Sequence, residues 1–352
     1  MKERNLSIDA MRFVAAVLVV CLHTGLPEKK IWATTVLFIA RSAVPLFFMI
    51  SGYMFAMRKK WDQNMDLYVR KQQKKIAQVA FAGLIFYMMV DILRSGPKTV
   101  LWVTFHPKSI LEFLLFNNVW YGGHLWYLFA YLYVLFVYQF LIKRDRVKWM
   151  YYWIPFGLIG YAVLGKYSKL ILGTEVSYMC SRNFLMAGIP CFAIGHWLAQ
   201  GTWKSAEKNK NLERAAWIGL MVIEVGMLWA ERNFLKAHKS YVSTNNFIAN
   251  TLLGVTALIF ALRFPGNKPW VRKIAYLGKK YSMTIYILHM FMKRCVTFVF
   301  KWVDVLAKLI EDPFYNQVYR ALTPVFCVTG CIIAKIAWDY VKKIAEQKKA
   351  KN

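Results

Sequence analysis

The sequence predicts an all-α membrane protein, a polytopic bundle of about ten transmembrane helices with both termini in the cytoplasm. Composition is the first indication, since 58% of the 352 residues are hydrophobic and 17% are aromatic, which exceeds the apolar share of a soluble domain. Apolar windows that approach the roughly 20 residues needed to cross a bilayer recur along the chain. They lie at 10–26, 33–56, 76–94, 124–142, 149–165, 183–200, 213–232, 245–263, 281–300 and 321–341.

The distribution of basic residues predicts how these spans are oriented. With the N-terminus placed inside, the segments predicted to be cytoplasmic hold 28 of the 47 Lys and Arg residues, while the outer segments hold 12. Such an excess is typical of cytoplasmic loops, and an even number of spans returns the C-terminus to the same side. The net charge of +29 therefore predicts contact with anionic lipid. It does not indicate a nucleic-acid partner, because no nucleic-acid-binding motif is present.

We expect a single membrane domain over residues 1–352 with no appended soluble catalytic domain, because no long linker or repeat divides the chain. The first apolar segment lacks a small-residue cleavage site, so it is predicted to remain as a span. The short apolar stretch 109–119 is predicted to be interfacial or re-entrant. Cys327 and Cys331, one helical turn apart, are predicted to face lipid or to pack, and the cysteine spacing predicts no metal site.

The first span, "RFVAAVLVVCLHTG", carries ionisable residues that are costly in lipid unless they are paired or face a wet cavity. Arg12 and His23 are eleven residues apart, which places them on one helix face about 16 Å from each other. Asp9 precedes Arg12 by three residues, within reach of an ion pair. A structural explanation remains open for each residue at this stage. Arg12 can extend to the headgroups with Asp9 at the same level, and His23 can be a hydrogen-bonded interface residue rather than a catalyst.

The second span, "RSAVPLFFMISGYMF", combines a cation with small and polar residues. Arg41 opens an otherwise apolar run, Pro45 predicts a kink, and Ser51 and Tyr53 flank Gly52. Close helix packing and a backbone opened near a ligand both fit this pattern. The basic residues that follow are predicted either to be solvated or to contact an anionic cytosolic ligand. They are Arg58, Lys59 and Lys60.

Further polar residues enter the later spans. An aromatic belt or local hydrogen bonding explains each of them singly, but their number predicts a shared polar cavity through the bundle. They are His124, Trp126 and Tyr127 after a Gly pair, Arg182 and Asn183 at the sixth span, Glu224 within the seventh, and Tyr286 and His289 on one face of the ninth.

These segments together resemble the acyltransferase-3 family of integral membrane acyltransferases. The opening "LSIDAMRFVAAVLVVCLHTG" resembles the family's N-terminal signature of an Arg, ten residues and a His, here Arg12 and His23. "VPLFFMISGYMF" is similar to its second span, "GGHLWYL" to the entry of its fourth, "RNFLMAGIPCFAIG" to its sixth and "YSMTIYILH" to its ninth. The resemblance covers nearly the whole chain in order and is nearest to single-domain O-acetyltransferases of bacterial surface glycans.

The resemblance implies a multi-pass enzyme of a bacterial cell membrane that uses cytosolic acetyl-CoA as acyl donor. The acceptor it implies is a hydroxyl group of an extracytoplasmic glycan or lipid-linked saccharide. His23 is implied as the general base on that hydroxyl or, alternatively, as the carrier of the acyl group, and Arg12 as the cation that neutralises a donor phosphate.

The remaining polar residues are assigned to donor and acceptor on the same basis, with no metal. The donor set is Arg12, Arg41, Ser51, Tyr53 and Arg58. The acceptor set is Asp9, His124, Trp126, Tyr127, Arg182, Asn183, Glu224, Tyr286 and His289.

A second function fits the same cavity. Similar membrane domains occur fused to the serine racemase of vancomycin resistance, where uptake of an amino acid is implied, so a transporter of amino acids or small solutes is the alternative. A sensory or assembly subunit is a third. An acyltransferase needs His23 and a CoA thioester, whereas a transporter needs neither.

Overall fold

The computed structural model describes residues 5–59, 64–201, 209–242 and 246–349, and in these ranges all regular structure is helical. A π-helix at Phe184–Gly188 precedes α10, and short 3₁₀ turns lie at Gly123–Leu125 and Tyr178–Cys180. The α-helices of these ranges are α1 (Leu6–Thr24), α2 (Ile31–Ala40), α3 (Ala43–Lys59), α4 (Met65–Ser95), α5 (Pro97–Phe105), α6 (Pro107–Phe116), α7 (Trp126–Lys143), α8 (Trp149–Val163), α9 (Ser168–Ile171), α10 (Ile189–Leu198), α11 (Lys210–Ala237), α12 (Ile248–Arg263), α13 (Pro269–Trp302), α14 (Asp304–Glu311) and α15 (Pro313–Lys349).

The helices form two compact units. The terminal unit contains the described residues up to Ala43 and those from Phe264 onwards, and the central unit runs from Val44 to Arg263. The prediction of one domain over the whole chain stays a prediction.

Each predicted span overlaps helix in the described ranges, so the all-α fold is confirmed, and several of these helices are long and apolar enough for a membrane bundle. Two of the helical segments at predicted spans, Phe184–Leu198 and Ile248–Arg263, are apolar but shorter than a bilayer requires. The number of ten spans and the cytoplasmic placement of the termini stay predictions. In the described ranges, six segments are long and apolar enough to cross a membrane: Leu6–Thr24, Ile31–Lys59, Met65–Ser95, Gly123–Lys143, Pro269–Trp302 and Pro313–Lys348.

The predicted kink at Pro45 is wrong in its position. The chain instead breaks at Arg41 and Ser42, after the end of α2, and Pro45 lies in the first turn of α3. A proline is tolerated there because the first amides of a helix have no intrahelical acceptor. The stretch predicted to be interfacial is likewise helical: α6 covers 107–116 and, like α5 before it, begins with a proline.

In the terminal unit, α1 packs along α13, and α15 packs against both. The backbones of α1 and α13 come close at Gly278, where a built Cβ would lie 1.9 Å from the backbone oxygen of Asp9. Only glycine fits at this distance, so Gly278 determines how near the two helices come. Cys327 and Cys331 of α15 are fully buried, which makes them packing residues.

In the central unit, α3 and α10 cross at two glycines. A Cβ on Gly52 would lie 1.9 Å from the Phe192 oxygen, and one on Gly195 would lie 1.8 Å from the Met49 oxygen. Small residues allow this kind of backbone contact in membrane helices. Of the two alternatives for Gly52, close packing is therefore the one the structure shows.

Three glutamates of α11 hold α12 beside it. Glu213 contacts Arg263 with its Oε1 2.5 Å from the guanidinium Nε, and Glu224 accepts a 2.7 Å hydrogen bond from the Thr256 hydroxyl. Glu231 accepts from the backbone N–H groups of Ile248 and Ala249 at 2.9 and 2.8 Å. Glu231 thus caps the first turn of α12, where amides have no helical partner.

The loop before α9 is tied to the same carboxylate. Tyr167 donates to Glu231 at 2.5 Å. Burial raises the pKa of Tyr167, and the hydrogen bond and charge of Glu231 raise it further, so the phenol stays protonated and keeps donating at neutral pH. Its neighbour Lys166 is fully buried, donates to the Val242 carbonyl and lies over the rings of Tyr241 and Phe247.

We expect Glu231→Ala to destabilise the central unit by about 2 kcal/mol, since the change removes a charged helix cap and the acceptor of the half-buried Tyr167 hydroxyl. Glu231→Gln should cost nearly as much, because an amide nitrogen would then face N–H or O–H donors. The apparent Tm of the purified protein measures the effect. Glu175→Ala, at an exposed position, is the control, and equal Tm values for the Glu231 and Glu175 variants would contradict the prediction.

Candidate active site

Two histidines meet in the terminal unit. His23 lies in the last turn of α1 and is half-buried, whereas His289 of α13 is fully buried. The centroids of their rings are 5.2 Å apart, with the ring planes tilted by 34°. The sequence singled out both residues, each on its own span, and the structure brings them together.

The backbone of α13 fixes the proton on His289. Its Nδ1 lies 2.8 Å from the carbonyl oxygen of Tyr286 and 3.1 Å from that of Ile285. Carbonyl oxygens only accept hydrogen bonds, so Nδ1 carries the proton, and in the neutral ring Nε2 is then an acceptor. Tyr286, predicted to share one helix face with His289, contacts it through this backbone carbonyl, and the centroids of their rings are 6.2 Å apart.

The chain directly after His23 is held by a residue that sequence reasoning missed. Gly25 ends α1 in the left-handed region with φ of 74°, a conformation that favours glycine. Arg320 of α15 donates from Nε to the Gly25 oxygen at 2.7 Å and from Nη2 to the Leu26 oxygen at 3.2 Å. It therefore satisfies carbonyls at the end of the helix that bears His23. A lone arginine just before the tenth apolar window was the available signal.

Replacing Arg320 by Met should loosen the end of α1. Two hydrogen bonds from a charged donor are lost, at a cost of about 1.5–3 kcal/mol each before relaxation, so we expect faster backbone hydrogen exchange in the peptide that covers residues 20–30. Arg320→Lys should restore part of the protection with one donor. Lys301→Met, an exposed cation near the end of α13, is the control, and unchanged exchange in Arg320→Met would refute the clamp.

The other end of α1 carries the predicted ion pair. The Arg12 Nη1 lies 3.7 Å from the Asp9 Oδ1, with Asp9 nearly buried and the Arg12 side chain 30% exposed. The same Asp9 contributes the backbone oxygen against Gly278. Helix packing and the orientation of Arg12 are therefore coupled at one residue.

The predicted donor residues beyond Arg12 are placed as follows. Arg41 is half-buried in the turn after α2, in the terminal unit. In the central unit, the Ser51 hydroxyl donates to the Phe47 carbonyl of its own helix at 2.8 Å, Tyr53 is half-buried on α3, and the Arg58 guanidinium lies 5.0 Å from the Tyr68 ring. Lys60 lies outside the described residues.

Two of the predicted acceptor residues in the central unit have well-defined structural contacts. Asn183 caps the π-helix by accepting from the amides of Leu185 and Met186, and it donates to the carbonyls of Met179 and Cys180. All four of its hydrogen bonds are thus made. Glu224 contacts Thr256 in the α11 and α12 pair. Their roles toward a substrate stay predictions.

The aromatic and cationic members of that set pack against rings. His124 meets Tyr87 edge to face at 5.0 Å, and Tyr127 stacks parallel to Tyr131 at 5.9 Å. Trp126 is half-buried at the start of α7, and the Arg182 guanidinium lies 5.5 Å from the Tyr178 ring.

The fold and the site define a helical protein with long apolar helices, in which a histidine pair joins one end of α1 to α13 and an Asp–Arg ion pair lies at the other end of α1. A family model described as an acyltransferase domain, acyltransferase-3, matches residues 5–338. The chain belongs to this family.

One curated protein matches a part of the chain. Over 133 residues, this chain is 30% identical to a protein named amino-acid racemase from Enterococcus faecalis. The matched region covers 36% of this chain and 18% of that protein. The match therefore spans less than a fifth of the relative's length. No solved structure matches the chain.

Proposed function

We propose that the protein transfers an acetyl group from cytosolic acetyl-CoA to a hydroxyl group of a glycan or lipid-linked saccharide outside the cytoplasm. The observation that carries the proposal is the 5.2 Å pairing of His23 with His289 in a chain of the acyltransferase-3 family. An imidazole that titrates near neutrality is suited to proton transfer. A second ring whose tautomer is fixed can orient it, as in other nucleophile and base arrangements.

In the proposed reaction, His23 takes the proton of the acceptor hydroxyl while that oxygen attacks the thioester carbonyl carbon. The carbon–sulfur bond then breaks, the acetyl ester remains on the acceptor, and the CoA thiolate receives the proton from His23. In the substrate complex, His289 is proposed to accept a hydrogen bond at Nε2 from the other ring nitrogen of His23. His23 then presents its unprotonated nitrogen to the acceptor.

Arg12 is proposed to neutralise a phosphate of CoA, with Asp9 orienting its guanidinium. The rise along α1 separates Arg12 from His23 by about 16 Å, which accommodates the extended arm of the donor. Arg41, Ser51, Tyr53 and Arg58 are proposed to assist the donor. The acceptor is proposed to contact the residues of the acceptor set other than Asp9 and His289, which are His124, Trp126, Tyr127, Arg182, Asn183, Glu224 and Tyr286.

The transporter alternative gains no support from the racemase match, which covers a small part of that protein. The experiment that tests the proposal therefore measures acetyl transfer. Proteoliposomes are loaded with labelled acetyl-CoA and incubated with a surface-glycan fraction outside, and ester-linked label and released CoA thiol are both measured. We expect label in the glycan and an equal amount of free thiol. A folded protein that consumes no acetyl-CoA but takes up solutes would overturn the proposal in favour of transport.

A further inference from the structure

A lysine of α13 lies one helical turn beyond the histidine pair. Lys293 follows His289 by four residues, and residues at this spacing are neighbours on a helix surface, with Cβ atoms about 6 Å apart. The side chain of Lys293 is half-buried. Neither the donor set nor the acceptor set includes it, and the proposed reaction gives it no role.

Lys293 lies within α13 and not at its end. The helix continues to Trp302, and the whole segment is long and apolar enough to cross a membrane. A cation in such a segment is costly unless it is paired or faces a wet cavity. Among the residues that the structure describes, no carboxylate forms an ion pair with the Lys293 ammonium group. A resident counter-ion therefore does not offset this cost.

The ammonium group is directed toward the interior of the terminal unit. It interacts electrostatically with the fully buried His289 ring of its own helix and with the fully buried Cys327 thiol of α15. A lysine that extended along the helix surface to the headgroups would carry its charge away from both groups. A positive charge therefore lies beside the histidine pair.

The proposed reaction creates a negative charge that such a cation can stabilise. When the acceptor oxygen loses its proton to His23 and bonds to the thioester carbonyl carbon, an electron pair of the C=O bond moves onto the carbonyl oxygen. The pair returns as the carbon–sulfur bond breaks, and the CoA thiolate takes the proton from His23. A donor or cation already in position at an oxyanion is among the largest contributions to catalysis, because it needs no reorganisation during the reaction.

We propose that Lys293 is the catalytic residue that stabilises this oxyanion, by donating a hydrogen bond from its ammonium group to the carbonyl oxygen of the acetyl group. The inference rests on the proposed function. Lys293 stays protonated throughout, so the proton balance of the reaction is unchanged. A carboxylate partner would weaken the field of the ammonium group at the oxyanion. The same unpaired charge is thus costly to the fold and useful to the reaction.

The test compares wild type, Lys293→Met and Lys293→Arg for kcat and for the KM of acetyl-CoA and of the surface-glycan fraction, with released thiol as readout. We expect Lys293→Met to lower kcat about 100-fold, as loss of one oxyanion donor does, with both KM values little changed. Lys293→Arg keeps a charged donor and should recover part of the rate. Lys301→Met, an exposed cation farther along the same helix, is the matched control and should keep the wild-type kcat.

The apparent Tm gives a second readout, which separates a catalytic role from a structural one. Lys293→Met removes an unpaired cation from an apolar helix, so its Tm should equal or exceed that of wild type. A lysine that only supported the fold would lose Tm and kcat together in this variant, and that result would overturn the proposal.

The kinetic outcomes distinguish this inference from the proposed function. A folded wild-type protein that transfers no acetyl group would refute both. Transfer by wild type together with wild-type kcat in Lys293→Met would overturn the role of Lys293 alone. A raised KM for the glycan fraction at unchanged kcat would also overturn it, because the lysine would then bind an anionic acceptor and not the oxyanion.

Discussion

Replacement of His23 by Gln is expected to lower kcat for acetyl transfer by about 10²–10⁴-fold, the usual contribution of a positioned general acid or base. The KM for acetyl-CoA should change little, because the ring acts on the acceptor hydroxyl and its removal leaves Arg12 and Asp9 in place. The measurement is initial rate against acetyl-CoA concentration in detergent, with the released thiol as readout.

His238→Gln is the matched control for this variant, since His238 is an exposed histidine of the central unit. It should keep the wild-type rate. Equal apparent Tm values for the two variants would show that His23→Gln is folded. A folded His23→Gln protein with more than about a tenth of wild-type kcat, a barrier change below about 1.4 kcal/mol, would exclude His23 as the base.

Gly278→Leu is expected to cost at least about 3 kcal/mol, because the new side chain begins 1.9 Å from the Asp9 backbone oxygen and overpacking against backbone cannot be relieved by a rotamer change. The variant should lose monodisperse yield and apparent Tm. Any folded fraction should lose most of its activity, because α13 carries His289, and misplacement by 1 Å at a reaction centre costs about 10²-fold.

The control for this substitution is Gly226→Leu in α11. A Cβ at Gly226 has no described atom within 4 Å, so the same change is made on a helical glycine in open space. We expect wild-type Tm there. Gly278→Ala should already lower Tm measurably, and a Gly278→Leu protein as stable and active as Gly226→Leu would show that the approach of α1 to α13 is not limited by this glycine.

Features that depend on local spacing were predictable from the sequence. The helices followed from apolar windows, and the Asp9 and Arg12 ion pair followed from a three-residue separation on one helix. The choice of His23 and His289 as candidate site residues also followed from the sequence, because ionisable residues are costly in lipid. Their pairing was beyond sequence reasoning, because it is set by the packing of two helices whose histidines are 266 residues apart in the chain.

Other features were missed because they depend on tertiary contacts. Pro45 starts a helix because the chain turns at Arg41, and a window of hydropathy does not register a two-residue break. Arg320 reaches carbonyls of α1 from α15, and His196 stands between two tyrosines from different helices. Arg320 was counted only as a basic residue of a loop, and His196 was passed over because it lies within an apolar window.

The most direct test of the central claim concerns the histidine pair. Wild type, His289→Leu and His289→Gln are compared for kcat and KM of acetyl transfer, with apparent Tm as the check on folding. The account predicts that Leu lowers kcat about 100-fold or more, as loss of an orienting partner does in other sites. Gln should recover part of that loss through its acceptor oxygen, with KM for acetyl-CoA little changed. A folded His289→Leu protein with wild-type kcat would contradict the claim that His289 orients His23.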